Sequence, residues 1–253
     1  MIAGLPMYLR PENQGAHDRL WQRTRAALAE QDIAAPERLD PGTDLWALWQ
    51  DPDLLLAQTC GLPFRATLEN DVALVGAPDH GLPGCAAGEY YSVFVIRADD
   101  DPRPLADYAR ARMAFNDPMS QSGWAVPQAL AHALGFQFVN LVQTGAHRAS
   151  AQAVAEGRAD LAAIDAVSWS MMTRWDDFAD GLQVIGRTSA TPALPYITAH
   201  GQYAAALHAA MNAALAELSP EDRRDLGMSR IVPAERVRYL ALPIPASPCQ
   251  PRV

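Results

Sequence analysis

Two serines and a glycine lie in DPMSQSG, residues 117–123, where a strand-like pattern gives way to a helix-like one. A helix start exposes N–H groups with no intrahelical acceptor and carries the positive end of the helix dipole, so it favours an anion. The hydroxyls of Ser120 and Ser122 can add donors to such an anion without transferring a proton. Equally, one of them can simply cap the helix. GAHRAS places His147 and Ser150 at the next strand-to-helix junction, and ADLAAID ends on Asp165 at a third. His147 can donate to an anion, and Asp165 can accept from a protonated ligand oxygen or orient a neighbouring donor; each can also serve as a helix cap. All three junctions can converge at one edge of a sheet.

Other reactive residue types do not form recognisable sets. His17, His80, His132, His200 and His208 have no metal-ligand spacing, so no metal and no cofactor is assigned. Cys60, Cys85 and Cys249 form no C-x-x-C pair, and Cys60 has no His/Asp motif that would make it a nucleophile. Trp46 and Trp49 read as core residues, whereas Trp124, beside SQSG, is the aromatic candidate for a pocket wall.

These groups sit in a chain of 253 residues whose 20 Lys plus Arg against 29 Asp plus Glu give a formal charge of −9. Such a balance argues against a nucleic-acid binder needing a cationic face. Apolar residues are plentiful enough for one large or two smaller cores, and no apolar run approaches the ~20 residues of a membrane-spanning helix, so no membrane insertion is expected. The opening MIAGLPMYLRPENQG has no basic start, apolar core and cleavage site in sequence, so it reads as carrying no export signal.

The elements that must position the candidate residues follow from periodicity. Ile2 to Tyr8 reads as a strand and Glu12 to Gln31 as a helix; Thr43 can cap a short helix through Trp46 and Trp49. Strands follow at Asp53 to Cys60 and Asp71 to Ala77. The Gly/Pro-rich residues 78–88 break regular structure before YYSVFVIR, residues 90–97, resumes it. Strands and helices then alternate to about residue 188, which implies an α/β domain. Closing helices are expected over Tyr203 to Leu218, Pro220 to Leu226 and Pro233 to Leu242, ahead of an extended or loose tail.

YYSVFVIR, AFNDPMSQSGWAVPQAL, GAHRASAQAVAEGRADLAAID and IGRTSATPALP together resemble the phosphate/phosphite/phosphonate-binding family of ABC-transporter substrate-binding proteins. The resemblance implies a two-lobed α/β fold of the type II periplasmic-binding kind, with a central cleft. Lobe one is expected to comprise residues 1–88 plus 190–253, and lobe two residues 89–189. The family's S-T-S-G motif, here SQSG, implies that Ser120, Gln121 and Ser122 cradle the anion, with His147 and Asp165 beside it and Tyr90 or Tyr91 at the lobe crossing. Gln121 replaces the usual Thr, and Phe64 stands where the family commonly has a pocket Tyr; both changes point towards an organic substituent on the ligand. The expected function is noncatalytic binding of a small anionic solute, a phosphonate or related phosphorus oxyanion, with an ABC permease as partner. The resemblance places the protein in the periplasm, whereas a genuine start Met without a signal places it in the cytoplasm, where a ligand sensor is the natural role. The enzyme alternative uses His147 as acid/base, oriented by Asp165.

Overall fold

The computed structural model describes residues 1–41 and 44–248. The opening apolar run is cut short by Pro6, which lacks the N–H a strand requires: Ile2–Gly4 forms strand β1, and Pro6–Tyr8 turns as a 3-10 helix. Helix α1 is Gln14–Ala29, with Leu20, Trp21 and Leu28 buried along one side. Helix α2, Leu45–Trp49, is capped by Asp44, whose carboxylate accepts from Ala47 N at 3.0 Å. The expected cap, Thr43, lies outside the described residues. Strand β2, Leu54–Gln58, leads into a helical turn, α3 (Gly61–Pro63), a π-turn over Phe64–Leu68, and strand β3, Ala73–Asp79.

The following stretch builds the alternating part of the chain. It runs through β4 (Glu89–Tyr90), β5 (Ser92–Arg97) and β6 (Arg112–Phe115) to a π-turn, Gln121–Ala125, that continues as α4 (Val126–Ala133). Then come β7 (Asn140–Gln143), α5 (His147–Ala155), β8 (Leu161–Asp165), α6 (Ala166–Trp175) and β9 (Leu182–Arg187). The return comprises β10 (Thr191–Pro192), β11 (Tyr196–Thr198), α7 (Ala204–Glu217), α8 (Pro220–Leu226), β12 (Arg230–Val232) and α9 (Arg236–Leu240). Strand β12 is absent from the sequence expectation because three residues show no period. Tertiary pairing makes it: Arg230, Ile231 and Val232 align antiparallel with Asp79, Pro78 and Ala77, and the Asn212 amide bonds both Ile231 N and Ile231 O.

The chain forms two units, Met1–Glu89 with Pro192–Ala241, and Tyr90–Thr191 with the residues from Leu242 on. The sequence reading instead assigns 242–253 to lobe one. Within the described tail, the Ala246 carbonyl accepts from Trp124 Nε1 at 3.2 Å, a contact inside the second unit. The first unit's sheet has the order β1-β2-β11-β3-β12, with β11 antiparallel to β2 and β3. One core packs Leu20, Trp21 and Leu28 of α1 with Leu207, Met211 and Leu215 of α7; another gathers Trp49, Phe64, Leu68 and Tyr239.

In the second unit the order is β7-β6-β8-β5-β9. Strands β6, β7 and β8 run parallel, and β5 is antiparallel to β8 and β9. Alternation along β5 sends Val93 and Val95 into a core with Ala151, Val154 and Met172, and Phe94 and Ile96 into a core with Met113, Ala131 and Phe138. Both faces are therefore covered, which is why β5 reads as a continuous apolar run rather than an alternating one. Ser92, at its start, is the polar exception.

Candidate functional site

The parallel direction of β6, β7 and β8 brings their C-terminal ends to one edge of the second unit's sheet. After β6, Asp117 Oδ1 accepts from Met119 N at 2.7 Å and Asp117 O from Ser120 N at 3.0 Å, a turn that delivers Ser120 in extended conformation to the helix cap. Ser120 Oγ then accepts from Gly123 N at 3.0 Å. The helix opens one residue wider than an α-turn, with Ala125 N donating to Ser120 O. Pro127 falls in the first turn of α4, where its missing N–H costs no intrahelical bond. Gln121 and Ser122 thus occupy the opening turn, and both are buried.

Ser122 joins this junction to the next. Its Oγ lies 2.8 Å from His147 Nε2, and its carbonyl accepts from Ser92 Oγ at 2.9 Å. His147 is the first residue of α5 and bonds to Ser122 rather than capping its own helix. Burial of the ring pushes its pKa down to about 4, against a smaller upward pull from the Ala163 carbonyl, so the imidazole is neutral at pH 7. Its Nδ1 has no hydrogen-bond partner of good geometry. The preceding loop is tied to β6 by Thr144 N to Phe115 O and Gly145 N to Asn116 O, both 2.9 Å. Ser150 is fully buried and paired with Thr144 Oγ1 at 2.6 Å, a bond internal to the start of α5.

Asp165 ends β8 at the third junction, 1% exposed, and sits opposite Ser92 in the β5–β8 register. One carboxylate oxygen accepts from Val167 N at 2.7 Å and Ser168 N at 3.0 Å, so Asp165 is the N-cap of α6. Trp124 packs against Phe115, ring centroids 5.1 Å apart, while its N–H goes to Ala246 O. Tyr90 is buried, and Tyr91 is half-buried beneath the Arg187 guanidinium, 4.9 Å from the ring centroid. Phe64 belongs to the other unit and is 1% exposed, edge-on to Tyr239 at 5.4 Å in its core.

Ser120, Gln121, Ser122, His147 and Asp165 therefore gather at one sheet edge, and Phe64 packs in a core of the first unit. Sequence reasoning passed over Ser92 and Asn116. A lone polar residue opening a strand that is apolar on both faces is the signal that marks Ser92. Asn116, which follows the last residue of β6, carries no periodic signal. Among the described residues no three His, Cys, Asp or Glu side chains are grouped to hold a metal ion, and no helix is long and apolar enough to cross a membrane.

The chain is similar to known proteins in fold and in sequence family. No curated protein sequence matches the chain. In fold, it is similar to a Prochlorococcus marinus protein solved in complex with methylphosphonate, with TM-score 0.71 and 15% identity over 94% of each chain. A Xanthomonas citri protein solved with ATP bound gives 0.67 and 14%, again over 94% of each chain. A binding-protein component of an ABC phosphonate transporter from Pseudomonas aeruginosa gives 0.66 and 16%, over 94% of this chain and 82% of that one. At the level of sequence, residues 56–239 match the model of a family described as the periplasmic phosphonate substrate-binding proteins of ABC transporters. That span is well over half of the chain and contains all three junctions, so the chain belongs to this family of phosphonate-binding transport components.

Proposed function

We propose that the second unit holds a small phosphorus oxyanion, a phosphonate first among them, at the C-terminal edge of its sheet, for delivery to an ABC permease in the periplasm without breaking any bond of the ligand. The observation that carries this reading is the 2.8 Å contact of Ser122 Oγ with His147 Nε2, which fastens two helix starts together. An anion beside Ser122 selects the tautomer in which Nε2–H donates to Ser122 Oγ, leaving the hydroxyl proton for the ligand. The N–H group of Ser122, at the opening turn, adds a donor that helix geometry does not use. Ser120, Trp124 and Asp165 hold the turn and the neighbouring helix in place. Tyr90 and Tyr91 immediately precede Ser92 where the chain enters the second unit.

The same Ser–His contact is also the one feature favouring acid/base chemistry. A ring with a pKa of about 4 is a weak base at pH 7, and Asp165, spent on the start of α6, does not orient it. Titration calorimetry against phosphate, phosphite, methylphosphonate and bulkier phosphonates tests the proposal: saturable one-to-one binding with intact ligand recovered supports it. Silence across the panel at millimolar ligand rejects the ligand class. Ligand turnover that disappears in His147→Ala would establish the enzyme instead.

A further inference from the structure

Asn116 stands between β6 and the anion turn, and its side chain makes no hydrogen bond to any described residue. Its main chain is engaged, the carbonyl accepting from Gly145 N at 2.9 Å in the loop that leads to His147. The amide oxygen is sealed from solvent. A methyl group placed on Gly123 would come within 1.9 Å of that oxygen and 3.3 Å of His147 Cε1. The oxygen therefore lies over Gly123 Cα, on the side of that residue which His147 also approaches. Glycine at 123 is what leaves room for it.

In the structure the oxygen is the inner end of the amide, against Gly123. The nitrogen is accordingly the outward end, and unlike the oxygen it is not closed off from solvent. A half-buried amide beside Gly123 and His147 whose NH2 bonds no other described residue has a donor to offer a ligand.

We infer that Asn116 is a further ligand-binding residue of the cradle, its NH2 donating to an oxygen of the bound phosphorus oxyanion. This rests on the proposed phosphonate site and extends it by one group. The consequence is selectivity by charge. A donor in this position rewards a fully deprotonated oxygen, where an acceptor would reward a P–OH.

Calorimetry with methylphosphonate on the full chain at pH 8 tests it with three proteins: parent, Asn116→Ala and Asn116→Asp. A hydrogen bond to a charged acceptor is worth enough that Asn116→Ala should weaken binding about ten- to a hundredfold. The isosteric Asn116→Asp should weaken it further, since a carboxylate then faces the anion. Neither replacement removes a hydrogen bond to another described residue, so thermal unfolding of Asn116→Ala without ligand should match the parent, while Asn116→Asp, with charge on a sealed oxygen, should unfold lower; if the alanine variant does not fold, the aspartate variant carries the test. Equal affinity of parent and Asn116→Ala would overturn the inference and leave the phosphonate site standing. So would Asn116→Asp binding more tightly than Asn116→Ala, because the oxygen would then be the end that meets the ligand. A parent that binds no phosphonate brings down the site itself and this inference with it.

Discussion

Ser120 and Ser122 stand two residues apart and have separable tasks. Ser120 Oγ is committed to Gly123 N, so its removal leaves a helix-start donor bare; Ser120→Ala should cost about 1 kcal/mol of stability. Ser122 Oγ is committed to His147, whose ring can turn the hydroxyl proton towards a ligand. Ser122→Ala should therefore weaken phosphonate binding about tenfold or more, and, by leaving His147 Nε2 without its partner, should also cost about 1–3 kcal/mol of stability. Denaturant unfolding and titration of both variants check this, and a Ser122→Ala protein with parental affinity would remove Ser122 from the site. Both serines were legible in the sequence as an anion turn or a helix cap, and the cap describes Ser120. Which is which depends on a π-turn that no residue pattern announces. Phe64 marks the limit of reading by resemblance: its position in the motif suggested a pocket wall, and packing against Tyr239 makes it core.

At the scale of elements, the site depends on strand ends more than on any one loop. The run of strand, turn and helix from Arg112 to Trp175 was readable because each strand is short, apolar and followed by Gly, Ser or Asp at the point where a helix begins. Their meeting at one edge follows from the parallel order of β7, β6 and β8, which pairing decides and periodicity does not. Strand β12 was illegible for the same reason, since it exists only through β3 and Asn212. Strand β5, antiparallel to this set, braces the anion turn from the side through Ser92 Oγ on Ser122 O. Ser92→Ala removes that brace and leaves a buried carbonyl short of a donor, at a cost of about 1–3 kcal/mol. Affinity should fall as well, since Ser122 loses its backbone anchor without losing its hydroxyl. Ser92→Thr, which keeps a hydroxyl, should recover most of both. Hydrogen exchange across 120–126 would read the loosening directly; unchanged protection there in Ser92→Ala would show that the turn holds its own shape.

For the whole molecule, the sign of the acid response follows from burial of imidazoles: it lowers His17 in the first unit and lowers further two others, one in each unit. His80, in the first, donates through Nδ1–H to Gly227 O at 2.7 Å and packs edge-on to Tyr8; His147, in the second, bonds Ser122. Burial brings both down to about 4, against pulls upward from Gly227 and Asp79 on His80 and from Ala163 on His147. A histidine whose folded pKa lies below its unfolded value binds fewer protons folded than unfolded in the interval between them. Stability is therefore fully present above pH 6.5 and drains away as pH falls towards 4. Between pH 7 and 5 each ring should cost about 2 kcal/mol, a large fraction of the stability of an ordinary domain. The paired carboxylates Asp160 and Asp222, held low by Arg112 and Arg19, lose their contribution only at still lower pH, so the histidines should dominate the first part of the acid limb. Urea unfolding at pH 7, 6 and 5 should show the decline, and His80→Gln should reduce the first unit's share, leaving that of His17, without touching ligand affinity. Saturating phosphonate should flatten the His147 share, because an anion beside the ring favours its protonated form and returns the proton affinity that burial took away. A slope at pH 5 to 7 that is the same with and without ligand would mean that the bound anion does not reach His147.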